Sequence, residues 1–321
     1  LECKMTAMSF FSKLLRLTPK GTFDHYRELM QITRPWWYLA LLQRSGIGHD
    51  GLNSLYFVMG KQSLFCPACP QPGVNLPDDW EQVYPKWLVK LPYVVDGNFS
   101  AQHMKMKIPE DDISLSDGLA YMVDSSAYTD HISRMVEAKD RFTCQNHRAI
   151  NAANASRKFL RVTGIGATAC ARHGCFVPHS VVDFQNGEWF MNINYSICQA
   201  LNHQSKGVHS AILAYDAACQ WQIHFMKRVQ DNIHLQVPEG MDIVAAVGKF
   251  HLSSHKLECY PQFSLNFMEG AGLMDGEIIE TLWAPLNKIA PSAQAMSAAH
   301  REELYDDHIL EENWKKMTAI G

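Results

Sequence analysis

The 321 residues are enough for one large domain or two ordinary ones, and a hydrophobic share of 47% is ample for a buried core. No run of about 18 consecutive apolar residues occurs, which excludes a hydrophobic membrane-spanning helix. A net charge of −4 argues against a chain that chiefly grips nucleic acid, while leaving room for local basic grooves.

The chain begins without Met, and the short apolar patch in LECKMTAMSFFSKLLRLTPKGTF is broken by Lys13 and Arg16 with no cleavage site behind it. A signal peptide is therefore not expected, and the sequence reads as part of a longer protein. Residues 22–46 predict two helical segments broken near Pro35. Residues 61–82, rich in Pro and turn formers, predict no regular element. WLVKLPYVVDGNF (87–99) climbs through an apolar strand and stops on Asp96, with FSAQHMKMKI (99–108) as its expected hairpin partner. Residues 109–130 are polar and irregular or helical, and residues 148–168 suggest a helix and a strand. VVDFQNGEWFMNINYS (181–196) suggests a hairpin about Asn186-Gly187. AILAYDAACQW (211–221) is a short buried strand that exits on Asp216 into a helix, and residues 241–260 repeat the strand-to-helix pattern. The tail from Ser297 is helical, and no internal repeat or low-complexity tract is present. The order predicts a mixed α/β fold whose sheet is not wholly parallel.

Two acids at strand ends, followed by a helix-borne acid, suit metal-assisted phosphodiester chemistry. Neighbouring strands deliver carboxylates to one sheet edge, where two magnesium ions about 4 Å apart can hold the attacking and leaving oxygens. Candidates for the third acid are Glu280 and Glu277 in LMDGEIIETLWAPLN, which share a face if that segment is helical. The competing explanation is structural, since Asp216 also stands where a helix cap would.

The nine cysteines are odd in number and several sit in chelating pairs, so metal sites are expected before disulfides. Cys144-x-x-His147 and Cys170-x-x-His173 together make a tetrahedral zinc set. Cys66-x-x-Cys69 with His251 and His255 could make a second. His251, His255 and Cys259 recur at four-residue steps and would line one helical face. The alternative is that His251 and His255 orient an active site or pack in the core.

In order along the chain, LLQRSGIGHD, LFCPACPQPGVNLPDDWE, VVDGNF, TCQNHRAINAANA, VTGIGATACARHGCFVP, NGEWFMNINYS, YDAACQW, GKFHLSSHKLEC, DGEIIETLWAPLN and LYDDHILEENWKK make the sequence resemble Kyakuja-Dileera-Zisupton (KDZ) transposases, especially fungal ones. The resemblance implies an RNase H-like mixed sheet flanked by helices, with a zinc-binding Cys/His insertion at about 110–180. Its organisation is an N-terminal helical and CPxCP region (1–85) before a C-terminally truncated catalytic core (86–321). It further implies an Asp-Asp-Glu triad carried by Asp96, Asp216 and Glu280, with Glu277 as the alternative, using Mg2+ or Mn2+. Structural Zn2+, transposon-end and target DNA as partners, self-association and a nuclear location complete the expectation. Thr281 stands where the family usually has Arg, Asn194 where it often has Asp, and Gly97 where it usually has Ala. These departures leave open an inactive or domesticated derivative that binds DNA or protein.

Overall fold

The computed structural model describes residues 7–18, 25–44, 62–134, 144, 159–203 and 205–320. Its centre is a five-stranded mixed sheet built from β1 (Leu91–Asn98), β4 (Gly164–Cys170), β5 (Val182–Phe184), β6 (Ser210–Ala214) and β7 (Asp242–Ala246). The spatial order is β5-β4-β1-β6-β7, with β5, β4 and β1 antiparallel and β1, β6 and β7 parallel. A separate two-stranded ribbon pairs β2 (His103–Met104) with β3 (Leu160–Val162). The expected hairpin partner of β1 is thus corrected: the neighbour of β1 is β4, some seventy residues on, because the all-buried run Gly164–Cys170 fits an interior strand where the exposed Met104 segment does not. Cys170 consequently ends a core strand and does not belong to an insertion.

The helices are α1 (Ala7–Leu17), α2 (Tyr26–Arg44), α3 (Trp80–Val83), α4 (Ser125–Arg134), α5 (Phe190–Asn202), α6 (Ala218–Gln230), α7 (Lys249–Leu252), α8 (Cys259–Phe263), α9 (Glu280–Ala293) and α10 (Ala298–Thr318). Pro35 does not divide α2 as expected. That helix is held from outside, by Arg34 on Glu303 at 2.6 Å and by Trp37 against the His300 ring. The hairpin expected at 181–196 is a strand, a turn and α5. Eleven of the thirteen residues of α5 are buried, so its polar members are absorbed by partners: Asn192 donates to the Tyr128 hydroxyl and Asn194 accepts from the Trp221 indole. A helix buried all round loses the hydrophobic periodicity that identifies it.

Alternation along the strands feeds two cores. Tyr93, Val95 and Leu213 face the layer containing α5 and α6, while Val94, Ile212 and Ala214 face the layer containing α9 and α10. α10 begins at the Ser297 cap, which accepts from the His300 N–H. It brings the fully buried Arg301 onto Asp183, 2.8 Å away, and onto the Ala101 carbonyl. Burial alone would raise Asp183, but the Arg301 and Arg161 guanidiniums hold it below the usual carboxylate range. Arg301→Met should cost about 3–5 kcal/mol, since it strips a buried carboxylate of its main partner. A denaturation midpoint within error of wild type would refute that reading.

Candidate active site and cysteine–histidine clusters

Asp96 lies on β1 and Asp216 just beyond β6. The two strands are adjacent and parallel, and Val94 pairs with Ala214. Each acid is two residues past its member of that pair, so both stand at the same level and on the same face, the side of α9 and α10. Adjacent strands lie about 4.8 Å apart. The helix-cap explanation for Asp216 falls away: α6 starts after Ala217, which is its N-cap, and no side chain caps it.

The segment leading into α9 closes this edge. Glu280 is the first residue of α9, and Trp283, one turn on, donates its indole N–H to Asp96 Oδ2 at 2.9 Å. Residues three apart share a helical face, so Glu280 and Trp283 approach Asp96 together. Glu277 lies before the helix rather than on it. Its Oε1 accepts the Phe250 N–H at 3.1 Å, and its Oε2 is 3.5 Å from His251 Nε2. The other ring nitrogen of His251 is 3.0 Å from Asp216 Oδ2, so one imidazole joins the two acids.

A fifth acid, Glu188, carries no strand-end or chelating signal in the sequence. It follows the Asn186-Gly187 turn, is 8% exposed, and its Oε1 accepts the Tyr215 hydroxyl at 2.7 Å. Gly97 exists to make room for it. A Cβ at Gly97 would lie 2.6 Å from Glu188 Oε2 and 2.7 Å from the Phe184 ring, which gives the Gly97 departure from the family pattern a steric reason.

The electrostatics are those of carboxylates crowded without a cation. Burial pushes Asp96 up to about 6, with Glu280 adding to the rise and Trp283, the Gly97 backbone and His251 opposing it. Burial and then the charge of Asp96 push Glu188 up to about 7, against the Tyr215 hydrogen bond. For Asp216, withdrawal from water within the cleft comes first, followed by Asp96, Glu188, Glu277 and Glu280, and the result is about 8. Like charges held this close to one another are the environment that a divalent cation relieves, so the residues present fit a hard metal.

Among the described residues, two Cys/His groups could hold a metal, each with its ligand atoms within 4.8 Å of one another: Cys66, Cys69, Cys170 and His173, and Cys144, Cys219, His255 and Cys259. This corrects the expected pairing of half-sites. Cys170 and His173 join Cys66 and Cys69, with Cys66 Sγ 3.2 Å from His173 Nδ1 and Cys69 Sγ 3.4 Å from Cys170 Sγ. Cys144 belongs to the other group, and His147 lies outside the described residues. His251 is on the carboxylates and His255 on Cys144 and Cys219, so neither meets Cys66 or Cys69. The single helical face expected for His251, His255 and Cys259 is broken as well. α7 ends at Leu252, and the Ser253 and Ser254 hydroxyls bond back to Phe250 and His251 carbonyls, a local competition that stops the helix. All eight described cysteines in these and other positions are free thiols. Three sulfurs and one imidazole per group match the donor chemistry of structural zinc.

The family model described as Kyakuja-Dileera-Zisupton transposase matches residues 89–313, well over half of the chain. No curated protein and no solved structure matches it.

Proposed function

Because the chain belongs to the Kyakuja-Dileera-Zisupton transposase family, we propose that it is the catalytic part of a DNA transposase whose Asp96, Asp216 and Glu280 form the reacting centre on an RNase H-like sheet. The observation that carries this reading is the common level of Asp96 and Asp216 on adjacent parallel strands, closed by the start of α9. The order of three antiparallel strands followed by two parallel ones supports the RNase H-like assignment. Magnesium or manganese held by these acids would supply the positive charge that stabilises a phosphodiester under attack. Trp283 fixes the rotamer of Asp96, and His251 fixes that of Asp216. Glu188, behind Asp96 and Tyr215, adds negative charge to the cleft from a position sealed from solvent. Glu280 is preferred over Glu277 as the third acid because Glu277 is already engaged by His251 and the Phe250 N–H. Cys66, Cys69, Cys170 and His173 would hold a structural zinc at the exit of β4, tying the CPxCP region to the sheet. The partner is DNA, at element ends and at a target, in the nucleus.

The test is cleavage of DNA carrying the element's terminal sequences, with magnesium, manganese or chelator, by wild type, Glu280→Gln and Glu277→Gln. Wild type should cut only with a divalent metal. Glu280→Gln should lose on the order of 10³-fold, the consequence of losing about 4 kcal/mol of transition-state stabilisation. Glu277→Gln, acting through His251, should lose about 10–100-fold. The reverse ranking moves the third acid to Glu277. A folded wild type that binds DNA but never cuts it would establish the non-catalytic derivative instead.

A further inference from the structure

Directly behind Asp216 lies the second group of soft ligands, assembled from three distant parts of the chain. Cys219 comes from the first turn of α6, Cys259 from the start of α8, His255 from the connection between α7 and α8, and Cys144 from beyond α4. His255 Nδ1 is 3.5 Å from Cys144 Sγ and 3.4 Å from Cys219 Sγ. Zinc bonds of about 2.3 Å to sulfur and about 2.0 Å to nitrogen put the two atoms on a tetrahedron about 3.6 Å apart. The observed separations are therefore the edges of a coordination tetrahedron. The three thiols are at most 9% exposed, and the Lys256 N–H points at Cys144 Sγ from 3.4 Å, a donor suited to a thiolate.

The same imidazole that faces the thiols also hydrogen-bonds the backbone of Asp216. A metal-bound histidine whose second nitrogen is fixed by a backbone carbonyl is the usual outer-sphere arrangement, and it fixes ring and partner alike. Two further links run in parallel. Cys219 is three residues from Asp216, and His255 is four from His251, whose ring holds the Asp216 carboxylate. Asp216 is thus gripped at its carbonyl and at its carboxylate by two histidines of one short segment, and that segment is tied at His255 and Cys259 to the helix that Asp216 introduces.

We propose that Cys144, Cys219, His255 and Cys259 bind a zinc ion and that this ion positions Asp216 in the carboxylate cleft. The positioning role rests on the catalytic reading of Asp216, whereas the zinc site itself does not. Asp216 needs such a device. It stands on a turn after β6, outside the strand ladder, among like charges that push it away.

The experiment uses the whole chain, with zinc counted by elemental analysis and native mass spectrometry, and Mn2+ affinity measured by electron paramagnetic resonance without DNA. Wild type should carry two zinc ions. Cys259→Ser should carry one and bind Mn2+ about tenfold or more weakly. Cys259→His, which restores a fourth donor, should regain both properties. Cys198→Ser, a buried cysteine of α5 outside either group, should match wild type. Cobalt substitution should give sulfur-to-metal charge-transfer bands that weaken in Cys259→Ser. A wild type with one zinc that Cys259→Ser retains, or a disulfide among these cysteines, overturns the site. Two zinc ions in wild type with equal Mn2+ affinity in a folded Cys259→Ser overturn the positioning role. If Cys259→Ser fails to fold, Cys259→His decides: loss of its second zinc or of Mn2+ affinity counts against the proposal. A two-zinc wild type that binds no Mn2+ removes the catalytic reading, and the positioning role with it, while leaving the zinc site standing.

Discussion

Asp216→Asn is expected to abolish metal-dependent DNA cleavage, by on the order of 10³-fold or more, while making the metal-free protein slightly more stable at pH 8. Asn keeps the size of the side chain and can still accept from His251, but it loses the charge that would hold a cation. The stability effect follows from linkage. The folded-state pKa of Asp216, about 8, lies above the ordinary value of 3.8. Between those values the folded chain binds more protons than the unfolded one, so stability is lost as pH rises through that window. Asn does not titrate, so the variant should melt with wild type below about pH 4 and increasingly above it as pH approaches 8. The side chain is 40% exposed, and solvent screening keeps the gain small, on the order of 2 °C. Magnesium should narrow or reverse the gap by stabilising wild type alone. Melting curves across pH, with and without magnesium, beside a cleavage assay, check every part. A variant that unfolds, or that cuts like wild type, would make Asp216 a structural residue.

Cys170→Ser should do the opposite, destabilising the fold before it touches the chemistry. Cys170 ends β4, one strand away from β1, and faces Cys66, Cys69 and His173. A zinc bound there joins the segment before α3 to the centre of the sheet, so its binding energy is folding energy. Losing a structural metal belongs to the few mechanisms that cost more than about 4 kcal/mol, here a fall of about 10 °C in melting temperature. Cys175→Ser is the informative comparison. Cys175 is fully buried in the same cluster but is not among the four grouped donors, so this variant should keep its zinc and lose far less. Equal losses in both, or a wild type whose melting point ignores a strong chelator, would show that the cysteines contribute as packed thiols only.

Several features were legible in the sequence because they are local. An apolar run ending on an acid marks a strand exit, which is how Asp96 and Asp216 stand out. Cys-x-x-Cys and Cys-x-x-His mark chelating turns, since two ligands one turn apart can bite one ion. Ser297 before a periodic run marks the start of α10. Each reading needs only bond geometry and the spacing of a few residues. Glu188 offered no such signal, because its significance is the proximity of Asp96 and Tyr215, set by a turn and a helix on another part of the sheet. α5 was read as a hairpin for a related reason: burial on every side removes the polar face that gives a helix its period.

What the sequence determined by itself, then, is the inventory: strand-end carboxylates, chelating pairs, and a mixed α/β order. What only the tertiary structure decided is which members meet. Cys170 and His173 could close on Cys144 or on Cys66 and Cys69 with equally good local geometry. The choice is made by β4 pairing with β1, which brings its end beneath the CPxCP turn, and by α6 and the His255 connection, which claim Cys144. Likewise His251 and His255, four residues apart, part company because the helix stops between them, one turning to the carboxylates and the other to the thiols. Spacing along the chain fixes the bite of a half-site within one turn. The partner of that half-site is fixed by strand order and helix packing, which join residues a hundred positions apart and leave no trace in either local sequence.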